Sequence, residues 1–304
     1  MDWMLEERER GITITSAATA CHWQGHRINL IDTPGHIDFT AEVVRSIRVI
    51  DGAVVILCGV GGVEPQTEAV WMHANRENLP RILFVNKLDR IGSSFERVMG
   101  EVHDHLTEKA IPVELPIGEE GDFRGVVDLL TERALVWPDG ADDPVEKPIP
   151  ADMVDEVAAA RETLIDAIAE TNDELLEQRL EGHEIPLAEL KAALRQSTFE
   201  GDIVPVFCGA SRNHIGVQPL LDGIVDYLPA PTDMPPILGT RPGEPEEVVG
   251  RDDDPALPFC AAAFKIVTDP HVGHLTWVRV FSGHLSIGDR SEEHMSELQS
   301  LLII

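Results

Sequence analysis

Asp32-Thr33-Pro34-Gly35-His36 and Asn86-Lys87-Leu88-Asp89 lie about fifty residues apart, each at the close of an apolar run. An Asp-x-x-Gly loop sets a carboxylate beside an amide that no side chain crowds, a pairing suited to magnesium and a terminal phosphate. An Asn-Lys-x-Asp loop offers a carboxylate that can accept two N–H bonds from one edge of guanine. Adenine lacks that donor pair, so Asp89 would select the nucleotide. Together, in this order, the two strings imply a GTP-binding protein.

Such loops need rigid supports. The runs Arg27-Ile-Asn-Leu-Ile31 and Arg81-Ile-Leu-Phe-Val85 read as buried parallel strands, whose carboxyl ends are where ligand loops sit. Residues 52–58 and 203–208 read the same way, with helical patterns at 40–50, 65–77 and 94–107 between strands. Pro65 suits a first helical turn. Residues 112–200 break the rhythm. There, 113–117, 125–129 and 134–137 read as short strands, followed by acidic helices near 151–170, 172–181 and 187–196. The stretch Leu228-Pro-Ala-Pro-Thr-Asp-Met-Pro-Pro236 reads as a stiff linker. Beyond it, 258–269 and 275–281 read as strands, and the tail 291–304 changes to a helical pattern.

No Gly-x-x-x-x-Gly-Lys-Ser/Thr loop, the usual phosphate cradle, occurs in the 304 residues. The opening string Met1-Asp-Trp-Met-Leu-Glu-Glu-Arg-Glu-Arg-Gly-Ile-Thr-Ile-Thr-Ser-Ala-Ala-Thr19, the His after Asp-Thr-Pro-Gly, and Gly61-Gly62-Val63-Glu64-Pro65-Gln66-Thr67 resemble bacterial elongation factor G, a translational GTPase. The resemblance runs from about residue 1 to 290, through Gly216-Val-Gln-Pro-Leu-Leu-Asp-Gly-Ile-Val-Asp-Tyr-Leu-Pro229 and Phe264-Lys-Ile-Val-Thr-Asp-Pro-His-Val-Gly273. It implies an α/β fold: a P-loop-type GTPase domain with a parallel sheet, truncated at its front, and an inserted α+β subdomain. A β-barrel domain would begin after these. The corresponding ranges are 1–111, 112–200, 201–235 (end of the GTPase domain and linker), 236–290 (partial barrel) and 291–304 (a non-native tail). The family's phosphate loop and later domains would then lie outside this sequence.

The resemblance also implies roles. Hydrolysis in the family is in-line attack by water, so catalysis is positioning plus charge stabilisation. His36 matches the residue that orients the water, Ile12 an apolar gate beside it, and Gly35 an N–H donor to the terminal phosphate. Thr13 and Asp32 match the Mg2+ residues, while Asp32, Pro34 and Gly35 match the phosphate side of the GTP/GDP site. Asn86, Lys87 and Asp89 match the base-reading loop. Ala210 and Ser211 match a Ser-Ala pair in reversed order, whose backbone N–H meets the guanine oxygen. Implied partners are the ribosome (large-subunit rRNA and stalk protein) and, indirectly, the tRNA–mRNA complex. The expected protein is a cytoplasmic monomer with no membrane association. Paralogues for ribosome recycling or tetracycline protection share these motifs, and a non-catalytic ribosome-binding piece is a further alternative.

With 54 acidic and 24 basic side chains the formal charge is -30. That argues against broad phosphate-backbone binding, which needs basic patches. Arg-rich, Ala-rich composition fits either a GC-rich genome or a salt-adapted organism. Cys21, Cys58, Cys208 and Cys260 are widely spaced in or beside apolar runs and read as buried free thiols. The run from Gly52 to Val63 is too short to span a bilayer. His271 and His274 are close in sequence but lack a carboxylate partner motif for zinc.

Overall fold

The computed structural model describes residues 13, 15–138, 141–241, 244–269, 273–286, 288 and 301–303. The chain divides into two compact units, Gly52–Pro229 and Met1–Asp51 with Ala230–Ile304.

In the latter unit, β1 (Ala17–Trp23) and β2 (His26–Asp32) form an antiparallel hairpin, followed by α1 (Thr40–Ile47). This corrects the parallel strand expected at 27–31: β2 pairs with β1 and belongs to no parallel sheet among the described residues. The physical reason is the two-residue Gln24-Gly25 connection. Both residues have positive φ (45° and 77°), the backbone that turns one strand tightly back on another. The hairpin leaves β2 largely open, with Leu30 39% exposed.

The Gly52–Pro229 unit holds the parallel sheet. It comprises β3 (Ala53–Cys58), β4 (Arg81–Asn86), β5 (Ala110–Pro112) and β10 (Val204–Cys208), in the order β3-β4-β10-β5. Helices α2 (Pro65–Arg76) and α3 (Phe95–His105) form the crossovers. Pro65 lies in the first turn of α2, and the Ser94 side chain caps α3 by accepting from the Arg97 N–H. Ile82, Leu83, Phe84 and Val85 are all buried, so β4 is the centre of the core.

Between β5 and β10, the strands β6 (Glu114–Ile117), β7 (Gly125–Asp128), β8 (Arg133–Val136) and β9 (Val145–Lys147) make an antiparallel meander. Three helices follow: α4 (Val154–Glu170), α5 (Asp173–Leu180) and α6 (Leu187–Glu200). They bury Leu164, Ile168, Leu190 and Leu194. Asn172 caps α5 through its side chain, and Gly201 at φ 76° ends α6. α7 (Val217–Tyr227) closes the unit.

Beyond Ala230 come two hairpins, β11 (Ile237–Arg241) with β12 (Glu244–Arg251), and β13 (Cys260–Asp269) with β14 (Gly273–Ser282). In the tail read as helical, Leu301–Ile303 instead forms β15, paired in parallel with β14. The fold is therefore mixed α/β with a parallel sheet, followed by antiparallel strands. All four cysteines are free thiols, and only Cys208 is fully buried.

Candidate functional site

The Gly52–Pro229 unit brings the base-reading candidates together. Asn86 ends β4, and Cys208 ends the neighbouring β10, so the two loops leave adjacent strands on the same side. Asn86 ties them. Its Nδ2 donates to Ser211 Oγ at 2.9 Å, and its Oδ1 accepts from the N–H of Ser211 (2.9 Å) and of Lys87 (2.8 Å). The backbone adds two further ties: Leu88 N–H donates to Gly209 O (3.2 Å), and Gly209 N–H donates to Val85 O (2.9 Å).

Lys87 has a positive φ of 65°, a conformation that costs a side-chain-bearing residue. The bond from its N–H to Asn86 helps hold it there. Asp89 is half-buried, and its Oδ2 accepts from Asn213 Nδ2 at 3.0 Å. Sequence reasoning missed Asn213. Its only signal was an Asn in a polar turn, which ordinarily means turn chemistry.

Ala210 and Ser211 sit beside this loop, with both N–H groups already committed. Ala210 donates to Ile215 O (2.9 Å) and Ser211 to Asn86 Oδ1. Arg212, next in the turn Ser211–Asn213, has a backbone N–H with no acceptor among the described residues. Gly209 is required by space. A Cβ there would lie 2.4 Å from Ile215 O and 2.7 Å from Phe84 Cζ.

The loop after β3 is clamped by α3. Arg97 donates to Gly59 O (2.9 Å) and Val60 O (2.8 Å), while Glu101 accepts from the Val63 N–H (2.8 Å). That backbone bond is the main reason the Glu101 carboxyl lies below its usual range.

The other unit carries the phosphate-side candidates. Asp32 ends β2, half-buried, in register with Ala17. Pro34 is buried, while Gly35 is exposed, and a Cβ built on it meets nothing within 4 Å. His36 accepts from the Asp38 N–H through Nδ1 (3.3 Å), lies 3.4 Å from Asp38 Oδ2 and leans on the Phe39 ring at a centroid distance of 6.0 Å. Its side chain is 48% exposed. Thr13 is half-buried; Ile12 lies outside the described residues.

Among the described residues no three His, Cys, Asp or Glu side chains cluster as a metal cage. His271 lies outside the described residues. Thr13 and Asp32 supply oxygen donors, the chemistry a hard cation wants. Mg2+ commonly takes one or two protein oxygen ligands and completes its shell with phosphate and water.

Residues 1–230 match the family described as the elongation factor Tu GTP binding domain. The chain belongs to this family. Among solved structures, one from Thermus thermophilus is similar to it with a TM-score of 0.80 and 29% sequence identity. The match covers 95% of this chain and 40% of that one, so the chain spans about two-fifths of that protein's length. Membership of the elongation factor Tu GTP binding domain family makes guanine nucleotide the expected ligand and GTP hydrolysis the family's reaction. No described helix is long and apolar enough to cross a membrane.

Proposed function

We propose that this chain carries the guanine-reading and water-positioning parts of a translational GTPase of the elongation factor G type, cytoplasmic and acting on the ribosome to drive translocation. The observation that carries the reading is the Asn86 side chain holding the Asp89 loop against Ser211 through paired bonds. Asp89 accepts the two guanine N–H donors, and Lys87 lays its stem along the base. The guanine oxygen falls to Arg212, the adjoining N–H left without an acceptor, with Ala210 and Ser211 shaping the turn.

Thr13 and Asp32 would hold Mg2+, which supplies charge neutralisation at the phosphates. Gly35 offers its N–H without steric obstruction. His36, exposed and steered by Asp38 and Phe39, orients the attacking water. The large-subunit rRNA and stalk protein are the partners this role requires.

The test is base selection. Asp89→Asn places a donor opposite a guanine donor, so it should weaken guanine binding and favour xanthine. Amide shifts in the labelled chain, titrated with guanosine or xanthosine diphosphate, read this directly. Unchanged preference for guanine in Asp89→Asn would refute the assignment.

A further inference from the structure

Glu114 is a carboxylic acid sealed into the core at 2% exposure, at the start of the meander. Its Oε2 accepts from the backbone N–H of Cys208 at 3.3 Å. Cys208 is the last residue of β10, and three residues on, Ser211, which opens the turn Ser211–Asn213, is held by Asn86. Just before it, Val113 N–H donates to Val206 O at 3.0 Å, so backbone and side chain together fasten the meander to β10.

The groups around Glu114 are acidic or uncharged. Asp128 faces it from β7 as its register partner, with one oxygen occupied by the Leu130 and Thr131 N–H groups. Asp222 acts on it from α7, where Tyr227 is also buried, and the Cys208 thiol is buried on β10. On the neighbouring α6, Lys191 pairs with Asp226. Burial, then the Asp128 charge, push the Glu114 carboxyl well above its ordinary range. Both causes favour the protonated, uncharged form of the acid over the carboxylate.

We propose that Glu114 is a positioning residue for guanine recognition: its carboxyl anchors the end of β10, and through it the Gly209–Arg212 turn that meets the base. Ionisation disturbs this anchor. A carboxylate buried against Asp128 draws in water, which loosens the junction between β6 and β10. The inference rests on the guanine reading, and its test separates the two.

Glu114→Gln keeps an acceptor for the Cys208 N–H but cannot ionise. Glu114→Leu removes the acceptor and strands a buried N–H, expected to speed amide exchange at Cys208–Ser211 by roughly tenfold or more. Exchange, corrected for its intrinsic pH dependence, is followed in the full chain with Ile82–Phe84 as the internal reference. The wild type should lose protection at Cys208–Ser211 as pH rises, while Glu114→Gln stays flat. Millimolar guanosine diphosphate should shift the Asn86–Asp89 and Ser211–Arg212 amides in both, and progressively less in the wild type as pH rises. The base's own titration cancels between the two proteins.

Identical pH profiles in wild type and Glu114→Gln would overturn the proposal. If Glu114→Leu does not fold, that comparison still decides. No nucleotide shift in the wild type would strike the guanine reading alone, and the exchange profile would still judge Glu114's hold on the turn.

Discussion

Removing the Asn86 side chain is the sharpest perturbation available. Asn86→Ala deletes three hydrogen bonds, two accepted by Oδ1 and one donated by Nδ2. Each contributes roughly 0.5–1.5 kcal/mol net, and water replaces part of that at a half-exposed position, leaving a loss of about 2 kcal/mol. The loss is local. It should accelerate amide exchange at Lys87 and Ser211 by roughly 30-fold, at a tenfold change per 1.4 kcal/mol. The buried Ile82–Val85 segment should keep its wild-type pattern apart from any global destabilisation. Asn86→Asp retains an acceptor for both N–H groups and gives up only the donor to Ser211 Oγ, so it should cost about 1 kcal/mol or less. Hydrogen exchange by NMR on the two variants measures this. Wild-type exchange at Lys87 and Ser211 in Asn86→Ala, or equal damage in both variants, would show that the side chain does not bind the loops together.

Gly209→Ala should destabilise the Gly52–Pro229 unit by roughly 1–3 kcal/mol in denaturant unfolding, because its Cβ would overlap the Ile215 carbonyl and the Phe84 ring. Lys87→Gly should stabilise the fold by roughly 0.5–1 kcal/mol, since glycine accepts the positive φ, while weakening the base contact; a lower melting temperature would contradict this. Glu114 sets a pH dependence of stability. Its folded pKa is raised, so its contribution is fully present below the ordinary carboxylate value of 4.5 and is lost as pH rises toward the folded value. Glu114→Gln should flatten that slope and gain on the wild type at alkaline pH, read from melting temperatures across pH.

The parts of the site legible in the sequence were those where one local pattern fixes both strand and loop. An apolar run closed by Asn86-Lys87-Leu88-Asp89 defines a buried strand end, and β4 has that form. The run at 27–31 has the same look yet lies in a hairpin. A strand's partner is decided by chain outside it, here the Gln24-Gly25 turn and Ala17–Trp23. β9 escaped because Val145-Glu146-Lys147 is short and exposed, with two charged residues of three, and so lacks the apolar run that marks a buried strand. Asn213 and Glu114 were hidden for opposite reasons. An asparagine in a turn looks ordinary, while a glutamate inside Val113–Ile117 looks like a solvated position on a half-open strand. Only the packing of β6 against β10 reveals that it is enclosed.

The open flank of β3 bears on how this protein behaves in bulk. β3 has a strand partner only on its β4 side among the described residues, and Ile56 on it is 62% exposed. A bare strand flank with an apolar side chain is adhesive toward another copy of itself. What keeps copies apart is the charge of -30, acting over a range that shrinks to about 8 Å at physiological ionic strength. Charge repulsion and an adhesive strand flank therefore act in opposite directions on association. Added salt should bring them together, turning a clear solution at low ionic strength cloudy as it rises.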